Sequence, residues 1–181
     1  MMMTVFLSHG LESGPGALKI QALKGVAEHV DDCEPVVMDY RGMSEPAARL
    51  AHLRETLNVR GDAPSRCILA GSSLGGWISA ALSAETPVLG CFLLAPALGM
   101  PRYPETSPII QAQHTHIIHG WQDDVVLPGP VIEHAQRQRL SLRMVDDGIE
   151  VDPASGAAAE ADDLPDFLSG DGEDDPAYDE E

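Results

Sequence analysis

Apolar and polar positions along the chain fall into two alternating regimes. Short, nearly continuous apolar runs occur at residues 4–8, 34–39, 67–70, 88–94 and 115–118. Unbroken apolar runs of this length predict strands buried on both faces. A last strand is predicted at 139–145, where Leu140, Leu142 and Met144 alternate with polar residues. Between these runs the apolar positions take helical spacing: Leu18, Leu23 and Val26 within 17–30, and Ala47, Leu50, Leu53 and Leu57 within 46–59. Pro46 suits a first helical turn. Further helices are predicted at 77–84 and 128–138. Residues 96–113 carry prolines at 96, 101, 104 and 108 and read as irregular. Strand and helix alternate strictly, which predicts a parallel sheet of about six strands with helices on both faces.

Composition divides the chain in two. The whole has 181 residues, 29 acids and 11 bases, for a formal charge of −18. From Ile149 onward there are 13 acids and no Lys or Arg, so the first 148 residues are close to balanced. Residues 1–148 therefore read as one α/β domain. Residues 149–181 read as an acidic tail, disordered on composition, that stands where a last helix would be. Leu164, Phe167 and Leu168 are its clear hydrophobic anchors. Without a last helix, one apolar sheet face would lie partly exposed. The negative charge argues against a nucleic-acid or anionic-membrane partner. Cys33, Cys67 and Cys91 are odd in number and widely spaced, and read as reduced core thiols of a cytoplasmic protein. Residues 1–10 lack the basic start of a secretory signal, and no apolar run is long enough to span a bilayer.

One motif carries chemistry. Gly71-Ser72-Ser73-Leu74-Gly75 fits G-x-S-x-G between a predicted strand and a predicted helix. A serine aimed out of a sheet edge needs a sharp turn, and the flanking glycines allow the chain to approach itself closely. Neither a G-x-G-x-x-G nor a P-loop motif accompanies it. His114, His116 and His119 recur along one strand, but without carboxylate or thiol partners the pattern reads as structural and no metal is expected.

With Ser8-His9-Gly10 after the first strand and His119-Gly120-Trp121-Gln122-Asp123-Asp124 after the fifth, the elbow at Ser73 resembles the α/β-hydrolase superfamily. The likeness is to its small members with almost no lid, over about residues 4–147. The resemblance implies a serine hydrolase acting on small esters, thioesters or related acyl substrates, without a cofactor. Ser73 would be the nucleophile. Leu74 and Leu11 N–H groups would form the oxyanion hole, and Asp123 would orient the base, with Asp124 as the fallback acid. Trp121 would cap the acid loop or line the pocket.

The family pattern then breaks. Its histidine should follow the last strand, just after Gly148, yet no histidine occurs beyond His134. Three explanations are open. The reading frame departs from a hydrolase after Gly148; or the chain is a non-catalytic hydrolase-fold interaction protein whose acidic tail recruits a partner; or the base comes from elsewhere, with His9 and His119 as the candidates.

Overall fold

The computed structural model describes residues 1–146 and 163–169. The strands are β1 (Met3–Ser8), β2 (Cys33–Val37), β3 (Cys67–Ser72), β4 (Val88–Leu94), β5 (Ala112–Gly120) and β6 (Ser141–Val145). The helices are α1 (Leu18–Glu28), α2 (Pro46–Arg60), α3 (Leu74–Glu85), α4 (Pro128–Gln138) and α5 (Asp163–Ser169). The strands form one parallel sheet in the order β2-β1-β3-β4-β5-β6. The chain direction across the sheet reverses between β1 and β3. At such a switch point the loops after the two strands diverge to opposite faces and leave a crevice. The register pairs Ser8 with Gly71, which brings the His9-Gly10 loop beside the Ser73 turn.

Two apolar layers cover the sheet. On one side Trp77, Ile78 and Leu82 of α3 and Leu53 and Leu57 of α2 pack with Phe6, Leu69 and Leu93. Val131 and Ala135 of α4 join the same layer. On the other side Ile20, Leu23 and Ala27 of α1 pack with Val5, Leu7, Ile68 and Phe92. Alternate residues of each strand thus feed opposite layers, as the two-residue strand period requires. Among the described helices, none is long and apolar enough to cross a membrane.

Three sequence expectations are revised. The tail does not simply replace a last helix: Asp163–Ser169 is helical and lies against α1. Leu164 is wholly buried, Leu168 nearly so, and both join the layer built on α1. The Phe167 ring sits over Gly90, where a Cβ would come within 2.7 Å of it, and 5.4 Å from the Phe92 ring. Three apolar side chains therefore outweigh an acidic composition. They cover the sheet face that a missing helix would have exposed. The rest of the expected tail lies outside the described residues. Second, α3 begins at Leu74 rather than Trp77, because Gly75 and Gly76 belong to its first turn. Third, Leu18 is half exposed instead of contributing to the core.

All three cysteines are free, with Cys67 and Cys91 buried and Cys33 half-buried. Burial pushes the Cys67 thiol up to about 11 and the Cys91 thiol up to about 12. Both stay protonated and unreactive at neutral pH.

If α5 is part of the core, Phe167→Ala should lower the unfolding free energy by about 3 kcal/mol, the low end for a truncated phenylalanine that is only half-buried. Urea denaturation monitored by far-ultraviolet circular dichroism measures this. A loss below about 0.5 kcal/mol, the level of an ordinary surface substitution, would mean that α5 does not dock.

Candidate active site

Ser73 stands between β3 and α3 at φ 54°, ψ −116°. A non-glycine residue there costs roughly 1–3 kcal/mol, so its surroundings must hold it in place. Three backbone hydrogen bonds do so. Ser73 N–H donates to Leu94 O at 3.0 Å, while Ser73 O accepts from Ala97 N–H at 3.0 Å and Trp77 N–H at 3.1 Å. The glycines of the motif are required by contact. A Cβ on Gly71 would lie 2.3 Å from Gly75 O, and one on Gly75 would lie 1.9 Å from Ser8 O. Neither gap admits a methyl group, so the turn can close only as G-x-S-x-G.

Ser73 borders a cavity of about 430 Å³ that is open to solvent. Gly10, Leu11 and Ser13 of the loop after β1 form one wall, and Leu18 of α1 forms another. This location explains the exposure of Leu18. Arg102 and Tyr103 from the irregular segment close a third side, and Val125 of the loop after β5 a fourth. That segment is pinned from beneath. Trp77 Nε1–H donates to Glu105 O at 2.6 Å, and Ser107 Oγ lies 2.9 Å from His134 Nδ1. Trp121 is exposed and does not line the cavity.

The predicted site residues fall into two groups. Ser73, Leu74, Leu11 and Asp123 are built into the turn and the loops around the cavity. Leu74 is the first residue of α3, and first-turn N–H groups have no partner within the helix. Leu11 shares the cavity wall with Ser73. Asp123 Oδ1 accepts from Val125 N–H at 3.0 Å and Val126 N–H at 2.8 Å, which fixes the carboxylate within its own loop. Its Oδ2 lies 3.8 Å from His119 Nε2. Asp124 is exposed at the loop surface.

The second group is the candidate bases, and both are engaged elsewhere. His9 is fully buried beneath the loop. Its Nε2 accepts the Tyr40 N–H at 3.0 Å, which leaves Nδ1 to carry the proton and donate to Gly10 O at 2.8 Å. Burial is the main reason that its pKa lies below the ordinary value. His119 is also fully buried. Its Nε2–H donates to Val126 O at 2.8 Å, and among the described residues its Nδ1 has no partner. Burial lowers its pKa too, partly offset by Val126 O and Asp123. Neither ring lines the cavity. No group of three potential metal ligands occurs among the described residues.

Two contributors escape a sequence reading. Arg49 is buried and sends all three arms of its guanidinium to backbone carbonyls. Tyr40 is buried beside it, with its hydroxyl 2.8 Å from Ser8 Oγ. The available signal for Arg49 was its i, i+4 spacing from Leu53 and Leu57, which places it on the buried face of α2.

A strained serine between the third parallel strand and its helix, above a crevice at the switch point, defines an α/β-hydrolase fold. Solved structures agree. A protein assigned to the hydrolases of the alpha/beta superfamily from Xanthomonas campestris pv. campestris is 29% identical. That match covers 93% of this chain and 99% of the other, with a TM-score of 0.80. The ydeN gene product of B. subtilis matches at 16% identity and a TM-score of 0.76, over 93% and 98% of the two chains. Est1E from Butyrivibrio proteoclasticus matches at 12% identity and 0.74, over 93% and 88%. The chain belongs to the uncharacterised protein family UPF0227, whose model matches residues 3–140. No curated protein matches it.

The buried histidines make stability pH-dependent. His9, His119 and His134 all have pKa values below the ordinary value, chiefly through desolvation. Below the unfolded value of about 6.5 the unfolded chain therefore binds protons that the native state does not. Stability should fall as pH drops through that value, and level off only below the lowered native values. Urea midpoints at pH 7.5, 6.5 and 5.5 should decrease in that order; constant midpoints would contradict the assignment of three neutral buried imidazoles.

Proposed function

We propose that this protein is an acyl-hydrolase-type enzyme of low intrinsic turnover, with Ser73 as nucleophile and small esters or thioesters as substrates. The observation that carries the reading is the strained Ser73 turn, held by three backbone hydrogen bonds and facing a cavity of about 430 Å³. A fold does not maintain a backbone strain of this kind without support, and such strain clusters at functional sites. In the proposed reaction Ser73 Oγ attacks the substrate carbonyl carbon, the acyl C–O or C–S bond breaks, the alcohol or thiol leaves with a proton while the serine proton passes to solvent, and an acyl-enzyme remains. The Leu11 and Leu74 N–H groups hold the oxyanion, as preorganised donors do in acyl transfer. Water then releases the acid. The exposed Leu11, Leu18 and Val125 side chains at the cavity wall suit a short apolar acyl group. No cofactor enters this chemistry.

The base limits the rate. No histidine follows His134, and the ring nitrogens that His9 and His119 would need are committed to backbone groups or sealed from the cavity. Losing the base of another serine hydrolase costs about 10⁶ in turnover. Oxyanion stabilisation alone leaves a residual rate, and that residual is what this reading assigns to the chain. The same observation favours a second reading, a non-catalytic scaffold whose acidic segment recruits a partner. That reading predicts that Ser73 is dispensable and that removing residues 170–181 abolishes partner binding.

Turnover of p-nitrophenyl acetate and butyrate separates the two. Wild type should be slow yet faster than Ser73→Ala. Equal rates in wild type and Ser73→Ala would remove the hydrolase reading and leave the scaffold.

A further inference from the structure

Arg49 is 2% exposed, and none of the ion pairs among the described residues involves it. A buried cation without a countercharge costs several kcal/mol, and a leucine would serve the packing of α2 at least as well. The use of the charge is visible in its partners. Nε–H donates to Met43 O at 2.7 Å, Nη1–H to Gly10 O at 3.0 Å and Nη2–H to Leu11 O at 3.1 Å. Gly10 O also accepts from His9 Nδ1–H at 2.8 Å and Ser13 Oγ–H at 3.3 Å. The His9 ring is fixed in turn by the Tyr40 N–H on its other nitrogen. Three donors thus converge on one carbonyl of the loop that faces Ser73.

In a trans peptide the carbonyl and the following N–H point to opposite sides. Donors that hold Gly10 O beneath the loop therefore turn Leu11 N–H upward. Hydrogen bonding of the carbonyl to a cation also polarises the peptide and strengthens its N–H as a donor. We propose that Arg49 and His9 clamp the Gly10–Leu11 peptide with its N–H directed to the Ser73 side, so that Arg49 is a positioning residue for the oxyanion hole. Arg49 does not line the cavity and touches no substrate. The inference rests on the reading of Ser73 as a nucleophile, and deepens it.

The test uses an aryl trifluoromethyl ketone and the matching methyl ketone on the full chain. Ser73 Oγ adds to the activated carbonyl carbon, the carbonyl π pair becomes the oxyanion, and the hydroxyl proton passes to solvent. The adduct is followed by its ¹⁹F resonance. Wild type should form it and Ser73→Ala should not. Arg49→Gln should weaken the adduct at least about tenfold, a smaller loss than deleting an oxyanion donor outright, and change methyl ketone affinity less than about twofold. Arg49→Lys, which keeps the charge and can reach only part of the carbonyl set, should fall between, and it decides the matter if Arg49→Gln does not fold. An unchanged adduct in a folded Arg49 variant, or equal weakening of both ketones, overturns the clamp while Ser73 stands. No adduct in wild type overturns the Ser73 reading and the clamp with it.

Discussion

The contact between α3 and the end of β1 governs the geometry of this protein's central crevice. The first turn of α3 rests on the Ser8 carbonyl so closely that Gly75 has no room for a Cβ. That contact fixes where α3 starts. The start of α3 fixes the turn, and the turn forces Ser73 to a positive φ. Parallel register between β1 and β3 is the precondition, since it sets Ser8 opposite Gly71. The strain is local, whereas its support is spread over β4, the segment after it and α3 through the bonds to Leu94, Ala97 and Trp77. A second non-glycine residue with positive φ, Ala95, lies between the first two of these partners. The C-terminal ends of β3 and β4 are therefore strained at two neighbouring points.

Electrostatics divides the site into a dry lower layer and a wet upper one. Below the loop lie His9, Tyr40 and Arg49, all buried and all bound to backbone or to one another. The Tyr40 ring lies 5.4 Å from the guanidinium carbon, near enough for its face to share in stabilising the charge. Burial raises the Tyr40 hydroxyl, so this residue stays neutral. Above the loop lie Ser73 and the open cavity. The loop after β5 follows a different plan: Asp123 accepts from the backbone of its own loop, and the imidazole of His119 donates to Val126 O. The Ser73 turn, the loop after β1 and the loop after β5 are thus held by separate sets of hydrogen bonds, and of the first two only the loop after β1 draws on a histidine, His9.

The sheet, its helices and the Ser73 turn were legible because each has a local signal. Apolar runs such as Cys67–Ala70 mark strands, and G-x-S-x-G marks a turn that only that pattern allows. The misses share a physical cause, namely that tertiary contacts outweigh local composition. Leu164, Phe167 and Leu168 are too few to make an amphipathic stripe visible among so many acids, yet they suffice once Gly90 gives them a place to dock. Leu18 has the spacing of a core residue, but α1 begins at the cavity and leaves it at the rim. Arg49 reads as a solvated helix residue by type and as a core residue by position, and position prevails because loop carbonyls replace water as its partners. The candidate roles of His9 and His119 rested on identity and order along the chain, which cannot reveal where a ring nitrogen points.

The close approach at Gly75 also sets how this site can diversify. The floor, made of Gly71, Gly75 and the Ser8 carbonyl, has no free volume, so a side chain added there must displace backbone. The rim, made of the Leu11, Leu18 and Val125 side chains, is exposed. A substitution at the rim therefore changes the shape and polarity of what the cavity admits, whereas one at the floor must move the frame beneath it.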